Sequence, residues 1–424
     1  MIVGFSFLAL LAIGTPVAFV LAVLAMIYIA DSGNWVMLQS YALQLYGGLD
    51  SYALLSLPLF ILLGELMNAG GIGRRLMGVA LALMGSVRGG LAYVNLLANM
   101  MMASILGSAA AQITVMSRLA VPEMVRAGYP RDLAVTITAA GGMLAPIVPP
   151  SMMFIIFGVV AQVPIGDMFV AGIVPGFLIL LVFLAVIGWL ARRHNFPANE
   201  RLDLRQRLAA LREAIPSALI PASIVGSILG GIATPTEAAA LACVMSILVG
   251  VVIHREMTLA DLFPAFVMAA RNSAIVLMLI AAAGVFSWVI TFENLPMRVA
   301  QAVQTMTTSP VMFLLLVNLI LIGLDMVTDA IPAIIVTVPV LLPVAVNVYG
   351  IDPVQFGVVV CLNLTLGLLT PPVGTALFTA SAMGGVRAER LTWLLLPFFA
   401  ATLLVIGLLV VFPVLSTGLG AWLK

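Results

Sequence analysis

Ala145-Pro146-Ile147-Val148-Pro149-Pro150-Ser151 and Leu369-Thr370-Pro371-Pro372-Val373-Gly374-Thr375 are the stretches whose reading decides the fold, because each interrupts a long apolar run with two consecutive prolines. Each proline removes an amide donor and pushes the residue before it out of the helical region. A helix carrying such a pair must break, leaving carbonyls without helical partners beside the hydroxyls of Ser151 or Thr370. Hard cations are held by such oxygens, and the half-helix that follows turns its positive end toward an anion. A single break of this kind is an ordinary packing kink. The same break twice in one chain points to a shared framework.

The paired prolines superimpose at a shift of 222 residues, which also brings Gly128 onto Gly350 and Pro175 onto Pro397. Nearer the start, Thr15-Pro16 falls on Thr234-Pro235 at a shift of 219, and Gly64 falls on Gly284 at 220. Glycine and proline fix backbone geometry, so the chain reads as two repeats, 1–190 and 214–424, joined by a connector at 191–213. The repeats carry opposite basic content. Gly128 lies between Arg126 and Arg131 while Gly350 has no basic neighbour, and the 387–390 joint is basic where its counterpart 165–168 holds only Asp167. An inverted repeat of broken helices belongs to secondary transporters, with the site at the repeat interface near the bilayer midplane.

Composition agrees. Of 424 residues, 63% are hydrophobic and only 8% charged, against about 25% charged in soluble domains. Mean hydropathy is +1.23. The chain is therefore expected to be an all-α polytopic membrane protein. Membrane segments are expected near 2–30, 89–124, 133–163, 169–190, 214–232, 235–253, 309–345, 354–386 and 391–413. The stretches at about 51–71 and 272–291 are apolar but interrupted, by Ser56 and Pro58 in one and by Asn272, Ser273 and Gly284 in the other. Each is read as a re-entrant hairpin of two half-length arms, tolerated where it is buried in protein or lines a cavity. Broken helices are expected at about 107–111 and 146–151, and at about 325–330 and 370–375. The stretches 38–54 and 255–271 read as amphipathic helices along the membrane faces, arms between a scaffold and a hairpin-bearing domain.

Arg192, Arg193, Arg201, Arg205, Arg207 and Arg212 place the connector in the cytoplasm, and Arg387 with Arg390 do the same for the joint after the second break. Counting crossings back from the connector puts Arg74, Arg75 and Arg88 outside, against the same rule, and leaves the side of Met1 open. A formal net charge of +1 offers nothing for nucleic acid. Cys243 and Cys361 lie in apolar runs, where a free thiol behaves as a small hydrophobe. No phosphate-binding loop, metal-ligand spacing or nucleophile with a histidine partner is present, so the chain is not expected to be an enzyme, and transport would be driven by a gradient.

Intramembrane acids default to function. Asp325 and Asp329 share a face if their helix is intact, and would bind a cation, take a proton or pair with Arg298. Glu65 follows Gly64. Glu237 is read first as a carboxylate at a helix N-terminus. Asn95, Asn99 and Asn318 read as hydrogen-bonding glue between helices.

Ser56-Leu57-Pro58-Leu59-Phe60 with Gly64, Met67 and Gly70-Gly71 resembles the first hairpin of the large membrane subunit of tripartite ATP-independent periplasmic (TRAP) transporters. Gly107-Ser108-Ala109, Pro122-Glu123-Met124, Gly128-Tyr129, Pro149-Pro150-Ser151, Ala171-Gly172-Ile173-Val174-Pro175-Gly176, Thr234-Pro235-Thr236-Glu237-Ala238 and Thr370-Pro371-Pro372-Val373-Gly374 follow in order over nearly the whole chain. The resemblance implies a bacterial inner-membrane permease working with a separate small four-helix membrane subunit and a periplasmic substrate-binding protein. It implies sodium-coupled uptake of an organic acid such as a dicarboxylate, a sialic acid or another sugar acid, by an elevator motion. It places one Na+ at Ser56 and Pro58 with Gly107, Ser108 and Ala109, and another at Ser273 with Thr370, Pro371 and Gly374. Pro150, Ser151, Thr328 and Asp329 would line the space between. A stand-alone sodium/anion symporter is the alternative within transport, and a channel or scaffold subunit the alternative outside it.

Overall fold

The structure is a computed structural model describing residues 5–7, 9–10, 13–84, 88–197, 203–326 and 328–423, with the backbone alone of Leu204 and Arg207. Met1 and Arg201 lie outside the described residues. The first half runs through α1 (Val17–Ser32), α2 (Val36–Gly47), α3 (Ser56–Ala69, entered by a 3-10 turn at Tyr52–Leu55), α4 (Ile72–Met84), α5 (Gly90–Leu106), α6 (Ala109–Arg126), α7 (Arg131–Gly142), α8 (Met152–Ala161) and α9 (Ile165–Arg193). α10 (Leu204–Leu229) leads to the second half: α11 (Pro235–Leu248, prolonged by a π turn to Ile253), α12 (Leu259–Phe292), α13 (Leu295–Gln304), α14 (Pro310–Asp325), α15 (Ala330–Asn347), α16 (Pro353–Gly367), α17 (Thr375–Gly384), α18 (Ala388–Val411) and α19 (Val414–Leu423). Among the described residues seven helices are long and apolar enough to cross a membrane.

The re-entrant hairpins are not where the sequence places them. Tyr52–Ala69 and Leu259–Phe292 are continuous, and each interruption in them has a local explanation. Pro58 is the third residue of α3, just past the change from 3-10 to α geometry at Leu55–Ser56, and the chain stays helical through it. Ser273 Oγ donates back to Ala269 O at 2.7 Å, and Asn272 donates to Glu65 Oε1 at 3.3 Å. Gly284 is a packing glycine: a Cβ there would lie 2.8 Å from Gly48 Cα and 3.0 Å from Gln44 O.

The chain instead folds back at the stretches read as simple breaks. α5 ends at Gly107, whose φ of 58° is left-handed, and α6 begins after extended Ser108. Gln112 Nε2 then reaches Asn99 Oδ1 at 2.8 Å. Thirteen residues apart on a straight helix these groups would be separated by about 20 Å, so α5 and α6 are the arms of a hairpin. α14 and α15 pack on each other in the same way. Asp325 closes the first of those arms and Asp329 caps the second. The two acids therefore flank a hairpin tip rather than sharing a helical face.

This relocation resolves the arginine conflict. With one crossing by α3 and none by the α5–α6 hairpin, the α4 region lies on the connector side. Arg75 accordingly lines a cleft with Arg212 and Glu213, and Arg88 donates to Asn195 at 2.7 Å, just past α9. The same count brings the α14–α15 hairpin in from the opposite side, so the repeat is inverted. Packing is reciprocal: α6 lies on α17 and α15 on α8, while α5 lies on α7 and α14 on α16. Around this body α1, α3, α11 and α12 form a frame. The first arm is the separate helix α2, tied by Tyr41 Oη to Ala22 O at 2.9 Å. The second runs straight into α12.

Candidate functional site: hairpin tips against broken helices

At the second tip, Asp325 is 2% exposed. Gly367, at the end of α16, is opposite, and a Cβ there would collide with the Asp325 side chain. Asp325 Oδ2 has no hydrogen-bond partner among the described residues. Asp329 accepts from Ala330 N at 2.8 Å and lies next to Thr375. In the turn between α16 and α17, Thr370 Oγ1 donates to Leu366 O at 2.9 Å, while Gly374 N donates to Thr370 O at 3.1 Å. A Cβ on Gly374 would come within 2.7 Å of Thr370 O. Thr328 and Pro371 are half-buried, while Asp329, Pro372 and Thr375 are exposed, so this junction is open.

The first tip meets the first break in a sealed junction. A Cβ on Gly107 would sit 3.3 Å from Met152 N and 3.7 Å from Pro150 O. Residues 141–151 are all buried. Ser151 donates to Pro146 O and accepts from Phe154 N, capping α8. Ser108 is half-buried and its hydroxyl caps nothing. Of the residues expected at the first site it is Gly107 that meets Pro150, while Ala109 O faces Gly142 in α7. From α3 it is Phe60, rather than Ser56 or Pro58, that lines the small gap at Gly107 and Pro150. Ser56 turns to Ala53 O at 2.7 Å. Ser273 stays within α12, a frame helix, and is not brought to Thr370, Pro371 and Gly374 by any hydrogen bond it makes.

Buried amides hold each hairpin to its broken helix. Asn95 donates to Thr138 Oγ1 at 2.7 Å, Asn99 to Asn95 Oδ1 at 2.8 Å, and Asn363 to Asn318 Oδ1 at 2.6 Å. The expected glue is present, joined by Gln112 and Asn363, which the sequence reading passed over. Their only signal was position, one turn past the first tip and one turn before the end of α16. Glu237 completes a capping box with Thr234, so its carboxylate is structural. Arg298 pairs with Glu293 at 3.7 Å rather than with Asp325 or Asp329.

Residues 5–415 match the family model for the "Tripartite ATP-independent periplasmic transporter, DctM component". The chain belongs to that family. Like its TRAP relatives it is a transporter permease subunit and not an enzyme. It is 37% identical over 404 residues to the 2,3-diketo-L-gulonate TRAP transporter large permease protein YiaN of Escherichia coli, covering 95% of this chain and 93% of that one. It is 35% identical to the sialic acid TRAP transporter large permease protein SiaM of Vibrio cholerae, with coverage of 96% and 95%. The isethionate TRAP transporter permease protein DctMQ of Oleidesulfovibrio alaskensis is 36% identical over 95% of this chain, which spans 63% of that longer protein. In fold the TRAP subunit resembles the YdaH transporter of Alcanivorax borkumensis, with a TM-score of 0.65 at 17% identity over 91% of this chain and 90% of that one.

Proposed function

We propose that this large permease subunit carries out sodium-coupled uptake of an organic acid across the bacterial inner membrane. A periplasmic binding protein delivers the substrate, and a separate small membrane subunit completes the permease. The carrying observation is the unpartnered Asp325 oxygen at a hairpin tip, with Thr370 and Gly374 in the facing turn. A carboxylate, a hydroxyl and turn carbonyls make a hard-cation donor set. Ser108 supplies the equivalent hydroxyl at the first tip. The relatives named for isethionate, 2,3-diketo-L-gulonate and sialic acid support an acid anion as substrate, and the half-helix N-termini at Met152 and Thr375 favour one. The division into a hairpin-bearing body and a frame with two arms supports an elevator motion.

The test is uptake of a panel of radiolabelled organic acids into proteoliposomes holding this chain and its small subunit, under an inward sodium gradient. Uptake should require both sodium and the cognate binding protein. Ser108→Ala and Thr370→Ala should each raise the sodium concentration for half-maximal uptake severalfold while membrane insertion is unchanged. Undiminished uptake without the binding protein would favour a stand-alone symporter, and unaltered sodium activation in both variants would remove these hydroxyls from the sites.

A further inference from the structure

Far from the hairpin tips, on the connector side, α4, α10 and the end of the π turn after α11 enclose a polar cleft. Its volume is about 740 Å3, and its lining combines Arg75, Arg212, Glu213 and His254 with the apolar Leu208, Ala209, Pro216 and Ile253. A smaller space of about 220 Å3 adjoins it, sharing Arg75 and Glu213 and adding Arg74 and Glu256. The charges are only partly matched. Glu256 is taken by Arg75 at 2.9 Å, which leaves two arginines, Arg74 and Arg212, against Glu213. His254 Nε2 and Ser217 Oγ are hydrogen-bonded at 2.9 Å. The burial of His254, and then the charge of Arg75, hold it below its usual range, so at neutral pH it adds a hydrogen-bonding group rather than a charge.

The surroundings identify the ligand. Leu211, Ile215 and Leu219 continue down α10 as exposed apolar residues, and Val252 and Ile253 do so beside them. The cleft therefore sits at the connector-side ends of two apolar helices, Leu208–Leu229 and Pro235–Ile253, with an exposed aliphatic track leading away from it along α10. We propose that it binds the phosphate headgroup of an anionic phospholipid from the cytoplasmic leaflet, with the acyl chains lying along α10. Basic pockets between membrane helices on this side suit such headgroups, and each nearby arginine contributes about fivefold in affinity.

The full chain with its small subunit, stripped of lipid in a neutral detergent, would be titrated with phosphatidylglycerol or phosphatidylcholine. Binding would be followed by native mass spectrometry and by the rise in thermal midpoint. Phosphatidylglycerol should bind at least tenfold more tightly than phosphatidylcholine. The double variant Arg74→Gln/Arg212→Gln should lose most of that preference while melting normally without lipid. Ala209→Trp, which fills the cleft and leaves every charge in place, should do the same, and serves if the arginine variant folds poorly. Equal affinity for the two lipids, or undiminished phosphatidylglycerol binding in both variants, would overturn the proposal. Equal stabilisation by millimolar inorganic phosphate would also overturn it, because a free anion rather than a lipid would then be the ligand. A repeat of the titration on this chain without its small subunit gives the last arm: phosphatidylglycerol binding seen there and absent from the complex would overturn the proposal and assign the surface to that subunit.

Discussion

At the scale of single residues, the site depends on what is missing from Gly367. Its empty side-chain position is occupied by Asp325, and Asp325 in turn keeps one oxygen without a partner. Gly367→Ala should push the hairpin tip away from α16, at a cost of about 1–3 kcal/mol for an overpacked interior, and reduce uptake more than it lowers the thermal midpoint. An uptake rate within twofold of the wild type would show that the two elements need not touch. His254 permits a second prediction. Its pKa is lowered from 6.5 by burial and by Arg75, so the unfolded chain binds its proton more readily than the folded one. Stability is then unaffected above pH 6.5 and is lost as the pH falls below it. His254→Gln should flatten that acid limb of the thermal midpoint measured against pH, and an unchanged limb would place its cause elsewhere.

At the scale of elements, the breaks announced themselves and the hairpins did not. Two prolines in a row are incompatible with an intact helix whatever surrounds them, so Pro149-Pro150 and Pro371-Pro372 could be placed from residue chemistry alone. The turn at Gly107-Ser108 has no such mark. α5 and α6 have 17 and 18 residues, about 25 Å each, which nearly matches the hydrocarbon thickness. Hydropathy responds to length and polarity, and neither tells a returning arm from a crossing one. Conversely, Pro58 and Gly284 look like breaks until their positions are known, one just past a change from 3-10 to α geometry and the other under a neighbouring backbone. The second of these is testable. Gly284 meets backbone atoms of Gly48 and Gln44, which cannot swing aside as a side-chain tip would. Gly284→Leu should separate α2 from α12 and lower the thermal midpoint by several degrees. If Gly284 only bent the helix, leucine would instead leave the midpoint unchanged or raise it.

At the scale of the molecule, the inversion rests on which elements return and which cross, and three contacts carry that count. Arg88 holds Asn195, Arg75 shares a cleft with Arg212, and Arg390 holds Asp132 at 3.0 Å. All three tie distant parts of the chain to the side marked by the connector's arginines. The opposite side gathers the Arg298–Glu293 pair and Tyr349, whose hydroxyl donates to Thr307 O at 2.9 Å. The drift of only a few residues between the repeats made their existence legible, but their orientation required the hairpins to be in the right places. Cysteines introduced singly at Arg74, Arg387, Glu293 and Asp352 would measure it in intact cells with a membrane-impermeant maleimide. Background should be small because Cys243 and Cys361 are buried. The positions at Glu293 and Asp352 should label at once, whereas those at Arg74 and Arg387 should label only after the membrane is opened. Rapid labelling at Arg74 with Arg387 still protected would make α5 and α6 successive crossings and remove the first hairpin, and with it the symmetry that brings both tips to the broken helices.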